Sequence, residues 1–466
     1  MKVLVMGLGL HGGGLESARF LLKRGADVTV TDLRDEKTLK PSIEQLGHER
    51  VRYVLGKHEI EDFKKADIVI KNPGVRPDSP FLQAAKRIET DISLFLSESP
   101  ARLFAVTGTK GKSGTTSALH CILAKDRTVG RAFIGGNITV SPLTFLDELT
   151  ENDDVVLELS SFQLGDIKNH VKPDGSKLLK PAASVLTNIM RDHLDRYASM
   201  EEYVDDKRVI YRGQDISCII IIGDDDWGKS FCAETNARTI ICSSKHSPLD
   251  EGISGGWIDS NGLGFARLYN FPGITDEIAE LVPQRLRLPG KHQKYSMLNA
   301  SLAAYGLGVK AQTIRSALAD YTGVEHRLEF FHTAKDVRFY NDSAATIPEA
   351  AAACIEALSV LGALVLVTGG TDKNLDFFPL ADAAKKAKHI ILLTGSGSDK
   401  LKILLEKAGI LFYGPFDDLD EAVRCAVNKA SSGDIVALSP GCASFGMFLN
   451  EFDRGRKWKE AVVRMT

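Results

Sequence analysis

The amino-acid sequence predicts an α/β protein in which parallel sheets are divided among three domains. Short apolar runs typical of strands alternate with longer helical stretches along the chain, which is the pattern of strands joined by crossover helices. The 466 residues are too many for one ordinary hydrophobic core, and roughly 150 residues per domain gives about three domains. A new strand, glycine and helix unit begins at three places, which supports the same division.

The domain boundaries follow from where these units begin, namely at Met1, at Leu103 and between Tyr321 and Val337. We expect linkers at Ser97–Ala101, which contains a proline, and around Gly323. The expected domains are therefore 1–97, 98–322 and 323–466.

Individual elements can be assigned where the pattern is clear. The clearest strands are Lys2–Met6, Asp27–Thr31, Leu103–Thr107, Val155–Leu159, Ala363–Thr368 and Ile390–Thr394. Residues 244–288 are glycine-rich with short apolar alternation, which predicts hairpins but indicates no chemistry.

Composition excludes several classes of protein. A net charge of −3 and a pI near 6.4 provide no global basic field, so we expect no nucleic-acid partner. No apolar run approaches the ~18 residues of a membrane span, and the first residues break into glycine before a signal peptide could form. We therefore expect a cytoplasmic protein with no membrane partner. The seven cysteines are scattered without a CxxC pair, which indicates reduced thiols and argues against a zinc site.

The first glycine loop, Gly7-Leu8-Gly9-Leu10-His11-Gly12, follows an apolar strand and precedes a helical pattern, and Asp32 ends the next strand. Such glycines let the backbone approach a pyrophosphate at a helix N-terminus, and the carboxylate can accept ribose hydroxyls. The pattern most often indicates NAD, although UDP offers a similar diphosphate. A tight turn with no ligand is the alternative.

A second loop, Gly108-Thr109-Lys110-Gly111-Lys112-Ser113, lies between the strand LFAVT and the helical run SALHCILAK. Its amides can bind phosphates, Lys112 can reach the terminal phosphate, and the Ser113 hydroxyl can coordinate Mg²⁺. It is two residues shorter than the general phosphate loop. We interpret it as a nucleotide-triphosphate loop, which weakens an NAD-dependent oxidoreductase as the explanation of the first loop.

Two further strand ends are polar. Glu158 lies near the end of the strand DVVLELS, followed by Leu159 and then by Ser-Ser-Phe-Gln, at a position where an α/β ATPase places a metal-binding acid. The segment Thr187–Tyr197 contains His193 between two aspartates, with Lys207 fourteen residues later, and a histidine there is a reasonable metal ligand. Alone, the acids could equally be solvated strand-end charges, and Lys207 could be a surface lysine.

Together these motifs resemble the Mur ligase family, and the resemblance extends in order over nearly the whole chain. The segments concerned are GTKGKSGTT, LELSSFQL, TNIMRDHLDRY, GGN at 135–137, NDSAAT at 341–346, GGTDKNLDF at 369–377 and LSPGCASF at 438–445. Within the family the similarity is greatest to the branch that adds D-glutamate. The resemblance implies a UDP-binding Rossmann-like N-terminal domain, a central P-loop ATPase domain and a Rossmann-like C-terminal domain that binds the amino acid.

Site residues are implied by position in these motifs. The implied ATP contacts are Gly108, Thr109, Lys110, Gly111, Lys112, Ser113, Gly114, Asn299, Arg327 and Asp342. The implied metal ligands for two Mg²⁺ ions are Ser113, Glu158, His193 and Lys207, the last as a carbamate, with Lys112, His193 and Lys207 catalytic. The substrate contacts implied near UDP are Gly9, Asp32, Arg34 and Asn72. Those implied along the muramoyl-alanine are Asn137, Ser160 and Gln163. Thr346 is a further implied substrate contact, and the residues implied around glutamate are Lys373, Ser444, Phe445 and Phe452.

The chain departs from the family pattern in four places. Ala344 stands where the D-glutamate branch usually has lysine, and Gly114 interrupts a threonine run. The adenine segment matches only at Asn299, and Phe452 aligns only after an insertion. L-Glutamate or another amino acid therefore stays open as the substrate.

The resemblance implies that the carboxylate of UDP-N-acetylmuramoyl-L-alanine attacks ATP to form an acyl-phosphate, which the amino group of glutamate then attacks. We expect a monomer with small-molecule substrates, in which movement of the C-terminal domain completes the site. The alternatives are a folylpolyglutamate-type ligase, which lacks the N-terminal glycine-loop domain, an NAD-dependent oxidoreductase and a non-catalytic nucleotide-sensing module.

Overall fold

Three sheets organise the computed structural model, which describes residues 1–9, 13–47, 50–126, 130–138, 140–172, 174–193, 196–288, 291–372 and 375–466. The chain forms two compact units. One comprises Met1–Gln284 with Lys294–Leu318, and the other comprises Arg285–Gln293 with Ala319–Thr466.

The first sheet has five parallel strands in the order β3-β2-β1-β4-β5. Its strands are β1 (Lys2–Met6), β2 (Asp27–Asp32), β3 (Arg52–Leu55), β4 (Ile68–Lys71) and β5 (Ile88–Glu89). Its helices are α1 (Gly13–Lys23), α2 (Glu36–Leu46), α3 (Ile60–Lys65), α4 (Pro80–Gln83) and α5 (Asp91–Glu98). Both faces of β4 are buried, as expected for a parallel strand covered by helices on both sides.

The second sheet has nine strands in the order β14-β13-β12-β11-β10-β9-β6-β8-β7. They are β6 (Arg102–Thr107), β7 (Ala132–Gly136), β8 (Asp154–Glu158), β9 (Ala183–Leu186), β10 (Ile219–Gly223), β11 (Arg238–Cys242), β12 (Gly255–Ile258), β13 (Gly264–Arg267) and β14 (Ala279–Val282). The helices that follow in this part of the chain are α6 (Lys112–Lys125), α7 (Ser161–Ile167), α8 (Met200–Arg208), α9 (Asp226–Glu234), α10 (Lys291–Gly306) and α11 (Ala311–Asp320). Because β6 lies between the parallel strands β8 and β9, the loops after these three strands meet at one edge of the sheet.

The third sheet lies in the C-terminal unit and has the order β15-β16-β20-β17-β18-β19. Its strands are β15 (Glu329–Ala334), β16 (Val337–Asn341), β17 (Leu364–Thr368), β18 (His389–Leu393), β19 (Phe412–Phe416) and β20 (Ile435–Leu438). Its helices are α12 (Pro348–Ser359), α13 (Phe378–Ala383), α14 (Ser396–Lys407), α15 (Leu419–Lys429) and α16 (Glu451–Met465). Only the pairing of β15 with β16 is antiparallel among the described pairs of this sheet.

The predicted α/β class is confirmed, and each of the six predicted strands is found within one residue of its expected ends. The hairpins expected in 244–288 are also confirmed, since β12, β13 and β14 pair antiparallel. The first linker was predicted two residues too early. Helix α5 continues through Glu98 because a capping box between Thr90 and Ser93 starts it and the buried Phe95 and Leu96 hold it to the core. No helix of the described residues is long and apolar enough to cross a bilayer.

Candidate active site

The phosphate loop joins β6 to α6 through a backbone that only glycine allows. Gly108 has φ 145° and Gly111 has φ 82°. A Cβ atom at Gly108 would lie 1.9 Å from the Thr187 hydroxyl oxygen, so a larger residue would displace the loop that follows β9. The loop therefore leads directly into the N-terminus of α6, a position where anions bind.

Two lysine amines converge on one carbonyl of this loop. Lys112 Nζ donates to the Gly108 oxygen at 2.9 Å and to the Thr109 oxygen at 3.0 Å. Lys207 Nζ donates to the same Gly108 oxygen at 2.9 Å, although its side chain is only 1% exposed. Burial, and secondly the charge of Lys112, lower the pKa of Lys207 to about 7. The loop thus holds the Lys112 cation, which can meet phosphate oxygens, beside a buried amine whose charged form is disfavoured.

The loop after β9 holds the phosphate loop in place. The Lys110 carbonyl accepts from the Thr187 hydroxyl at 2.6 Å and from the Asn188 amide at 3.1 Å. The Asn188 side-chain oxygen accepts from the Lys110 amide at 2.9 Å. At the exposed side, Lys110 Nζ lies 3.3 Å from an Asp192 oxygen. The phosphate loop and the loop that begins at Thr187 are therefore held together as one structural element.

Glu158 offers a buried oxygen at the same edge of the sheet. Its side chain is 1% exposed, and Oε1 accepts from the Asn137 side-chain amide at 2.8 Å. Oε2 is buried and has no hydrogen-bond partner among the described residues. A buried carboxylate oxygen left in this state is costly unless a cation binds to it. Carboxylate oxygens are ligands that Mg²⁺ prefers, so these residues fit a magnesium ion.

Tyr203 lies beside two of the predicted metal ligands, Lys207 and His193. Its hydroxyl lies 3.0 Å from the Thr109 hydroxyl, the Lys207 amine lies 4.6 Å from its ring centroid, and the His193 ring centroid lies 6.2 Å away. His193 itself adopts φ 54°, a conformation that favours glycine and is concentrated at functional sites. Sequence reasoning missed Tyr203. Its position one helical turn before Lys207 in α8 was the available signal.

The predicted substrate residues Ser160 and Gln163 also have a structural role. They form a capping box at the start of α7: Ser160 Oγ accepts from the Gln163 backbone amide, and the Gln163 side-chain oxygen accepts from the Ser160 amide at 3.0 Å. This pairing accounts for both side chains without a ligand. Their proposed contact with the muramoyl-alanine stays a prediction.

The first glycine loop has a different polar environment. Each oxygen of the buried Asp32 accepts a backbone amide, from Gly9 at 3.2 Å and from Arg34 at 2.9 Å. Asn72, which follows β4, packs beside the loop. A Cβ atom added at Gly7 would lie only 3.0 Å from the Cβ of Asn72. The structure thus brings together all four predicted UDP contacts, with the Arg34 side chain exposed. Leu10, His11 and Gly12 lie outside the described residues.

In the C-terminal unit, Asp342 holds the backbone on which Arg327 is presented. Its Oδ1 accepts from the Leu328 amide at 3.0 Å and its Oδ2 from the Ser439 hydroxyl at 2.6 Å. Burial raises the pKa of this carboxyl to about 6. The exposed Arg327 lies between His326 at φ 65° and Leu328 at φ 47°. Two strained residues that flank an exposed arginine are typical of a binding segment.

The structure describes three of the four residues predicted around glutamate, namely Ser444, Phe445 and Phe452. Ser444 is 3% exposed, and its hydroxyl is buried with no hydrogen-bond partner in the described part of the chain, as expected of a group that awaits a ligand. Phe445 is exposed and Phe452 packs against the His326 ring at 5.4 Å. Thr346 is half-buried just before α12. The prediction for Lys373 lies outside the described residues.

Arg454, which sequence reasoning missed, connects the two predicted loops of this unit. The side chain is 1% exposed and donates to the Ser343 carbonyl at 2.8 Å, to the Ser343 hydroxyl at 3.0 Å and to the Cys442 carbonyl at 3.2 Å. It therefore holds NDSAAT beside LSPGCASF. Burial raises the pKa of the Cys442 thiol to about 12, so this cysteine is a packing residue and not a nucleophile.

Asn299, the predicted adenine contact, lies in α10 and is 5% exposed. Its amide nitrogen donates to the Tyr295 carbonyl at 3.0 Å, while its side-chain oxygen is buried with no partner among the described residues. Asn299 belongs to the first compact unit and Arg327 to the second.

Comparison with known protein families gives three matches in chain order. The Mur ligase MurD-like N-terminal domain matches residues 1–93, the Mur ligase middle domain matches 106–304, and the Mur ligase glutamate ligase domain matches 326–442.

Three similar proteins are each named UDP-N-acetylmuramoylalanine–D-glutamate ligase. The protein of Treponema pallidum is 38% identical over 99% of this chain and 97% of its own length. That of Borreliella afzelii is 40% identical with the same coverage, and that of a Roseiflexus species is 38% identical over 100% of this chain and 99% of its own.

Solved structures show the same fold at lower identity. The UDP-N-acetylmuramate-alanine ligase of Thermotoga maritima superposes with a TM-score of 0.61 at 20% identity and covers 100% of both chains. The MurF ligase of Thermotoga maritima, solved in complex with ADP, has a TM-score of 0.54 at 17% identity and covers 99% of this chain and 94% of its own.

Proposed function

This chain belongs to the Mur ligase family, and we propose that it joins D-glutamate to UDP-N-acetylmuramoyl-L-alanine while ATP is converted to ADP and phosphate. The relatives named UDP-N-acetylmuramoylalanine–D-glutamate ligase match 99–100% of this chain at 38–40% identity. The observation that supports the chemistry best is the meeting of Lys112 and Lys207 on the Gly108 carbonyl, at a strand edge that also bears the buried Glu158.

ATP would bind with its phosphates on the amides of the loop before α6. Lys112, which now donates to two loop carbonyls, would exchange them for the γ-phosphate, since a charge-assisted bond to phosphate is stronger than one to a neutral carbonyl. Ser113 and Glu158 would hold one Mg²⁺, and His193 with Lys207 the other. Bound Mg²⁺ would neutralise charge on the phosphates and on the substrate carboxylate.

The reaction has two steps. A carboxylate oxygen of UDP-N-acetylmuramoyl-L-alanine attacks the γ-phosphorus, the bond to the ADP oxygen breaks, and an acyl-phosphate results. The neutral amino group of glutamate then attacks the acyl carbon, a proton is lost from nitrogen, and phosphate leaves. Lys112 stabilises the charge that develops in both steps because it remains beside the transferred phosphoryl group. No serine or cysteine nucleophile is needed.

We propose that Lys207 acts as a carbamate, formed when its neutral amine adds to CO₂ and releases a proton. An ammonium would repel Mg²⁺, whereas a carbamate supplies an anionic oxygen that suits a hard cation. The side chain is 1% exposed, and its amine bonds to a neutral carbonyl beside a second lysine. Such a site disfavours a second ammonium and favours the modified form.

The C-terminal residues would supply the nucleoside and amino-acid contacts. Arg327 and Asp342 would contact the ATP nucleoside, while Ser444 and Lys373 would bind the carboxylates of glutamate. The domain boundaries at 97/98 and 322/323, a cytoplasmic location and a monomeric state belong to the same proposal.

Phosphate release tests the proposed function directly. Purified protein is given ATP, Mg²⁺ and UDP-N-acetylmuramoyl-L-alanine with D-glutamate, L-glutamate or other amino acids in turn. Phosphate should form with D-glutamate and stay at background when either substrate is omitted. Preference for L-glutamate would place the chain in another branch of the family, and phosphate release with a folate substrate would identify a folylpolyglutamate-type ligase.

A further inference from the structure

Arg196 binds three consecutive carbonyls of the loop that follows β4. Its guanidinium donates to the carbonyls of Pro73 and Val75 at 3.0 Å each and to that of Gly74 at 3.3 Å. Five guanidinium hydrogens in one plane suit such an arrangement, which a lysine ammonium cannot reproduce. The loop belongs to the N-terminal part of the first compact unit, and Arg196 comes from the part that contains the phosphate loop.

The Arg196 guanidinium also stacks on Phe162, which lies beside His193 of the predicted phosphoryl-transfer site. Its guanidinium carbon lies 3.8 Å from the Phe162 ring centroid, a distance at which cation–π attraction is substantial. Phe162 lies between Ser160 and Gln163 at the start of α7, and its centroid is 5.0 Å from that of His193. The Arg196 backbone amide also donates to the His193 carbonyl at 3.0 Å.

The loop that Arg196 binds also contacts the first glycine loop. Asn72 begins it, packs beside Gly7 and accepts the Gly74 amide at 3.0 Å. Just before it, Lys71 pairs with Asp166 of α7 at 2.6 Å, with both side chains less than a tenth exposed. A continuous series of contacts therefore runs from the glycine loop through Arg196 to Phe162 and His193.

We propose that Arg196 is a positioning residue that fixes the distance between the UDP-binding loop and the phosphoryl-transfer site, and so adapts the enzyme to the length of its precursor. This inference rests on the proposed function, because it requires a substrate that is held by UDP at one end and reacts through a carboxylate at the other. A substrate bound at both ends gains from each contact only if their spacing matches it.

Calorimetric titration of two ligands isolates this role. UDP occupies one end only, whereas UDP-N-acetylmuramoyl-L-alanine spans both. In wild-type protein the full precursor should bind much more tightly than UDP. In Arg196→Ala the Kd of UDP should stay within about twofold, while the affinity advantage of the full precursor falls about tenfold to a hundredfold, because a second contact adds affinity only where its spacing fits the ligand. Arg196→Lys should lose a smaller part of that advantage because it keeps only the charge.

Arg24→Ala is the matched control. Arg24 also joins the N-terminal part to the following one, through Glu98 at 3.0 Å and Asp147 at 2.9 Å, but on an exposed surface away from the loop. Its variant should keep the wild-type ratio of the two affinities. If Arg196→Ala does not unfold at a temperature close to that of the wild-type protein, the ratio of the Kd values of UDP and of the full precursor is taken from Arg196→Lys instead.

The outcomes separate this inference from the proposed function. Equal weakening of UDP and full precursor in the Arg196 variants, or an unchanged ratio, would overturn the positioning role and leave a general structural one. Wild-type protein that binds the full precursor no better than UDP would instead contradict the proposed substrate.

Discussion

The loop after β1 and the loop after β6 join a parallel strand to a helix in the same way, yet their surroundings differ in charge. Both use glycines with positive φ, at 94° and 68° for Gly7 and Gly9 and at 145° and 82° for Gly108 and Gly111. Beside the first loop lies the carboxylate of Asp32, which accepts a loop amide. At the second loop, two lysine amines donate to one loop carbonyl.

This difference indicates which loop performs chemistry. Backbone amides alone can bind a diphosphate that does not react, and a carboxylate beside them suits the hydroxyls of a ribose. Transfer of a phosphoryl group also requires cations that stabilise charge in the transition state. The backbone is therefore compatible with a nucleotide at both loops, and the side chains support our proposal that the first loop binds its ligand and the second loop performs the reaction.

The largest effect should come from removal of the cation nearest the second loop. Lys112→Ala should lower kcat by ~10³ or more, because the lysine is proposed to stabilise charge that increases as the phosphoryl group moves. Steady-state phosphate release measures this. Lys229→Ala is the control, since Lys229 forms an exposed ion pair with Asp226 in α9, and such pairs contribute little. Near-normal turnover of Lys112→Ala would contradict the proposal that the second loop performs phosphoryl transfer while the first loop only binds its ligand.

The second lysine, Lys207, should differ from Lys112 in its dependence on CO₂. Lys207→Arg keeps a long cationic side chain but cannot form a carbamate, so it should lose roughly 99% of activity with native thermal unfolding, a loss comparable to that of one charged catalytic contact. Wild-type enzyme stripped of CO₂ should lose activity and regain it with bicarbonate. Full activity in Lys207→Arg would mean that the buried lysine only supports the loop.

Ligands of the first glycine loop should stabilise the native protein without undergoing any reaction. UDP-N-acetylmuramoyl-L-alanine at 100 times its Kd should stabilise the native protein by about 2.7 kcal/mol, because only a ligand that prefers the native state raises stability. NAD at the same concentration should have no effect. Thermal unfolding measures both. Stabilisation by NAD alone would favour an oxidoreductase and reverse the assignment of this loop.

The smallest effect should appear at Glu158 in metal-free protein. Because its Oε2 is buried with no hydrogen-bond partner among the described residues, Glu158→Gln removes an uncompensated charge and should raise the unfolding temperature by a few degrees. The variant should also lose any stabilisation by Mg²⁺. Asp192→Asn, at a more exposed carboxylate near the same loop, should change the metal-free stability less. Unaltered stabilisation of Glu158→Gln by Mg²⁺ would place the metal elsewhere.

Local sequence pattern was sufficient for the strands and for both glycine loops, because strand periodicity and glycine spacing are properties of neighbouring residues. The identity of Lys207 as a buried lysine was not visible, since its helical segment MEEYVDDKR is mostly charged. Arg196 and Arg454 were missed for a related reason. Each acts through contacts with residues distant in sequence, as in the 3.0 Å bond from Arg196 to Pro73, and no spacing rule predicts such contacts.

Transfer of an isotopic label tests most directly the claim that the second loop moves a phosphoryl group onto a carboxylate. UDP-N-acetylmuramoyl-L-alanine is labelled with ¹⁸O in its carboxylate, and the phosphate released in the presence of ATP and D-glutamate is analysed by mass spectrometry. Each phosphate should contain one ¹⁸O, because the carboxylate oxygen that attacks phosphorus leaves with it when the amine attacks carbon. Unlabelled phosphate would show that water attacks ATP, and would contradict the acyl-phosphate and the role assigned to the loop.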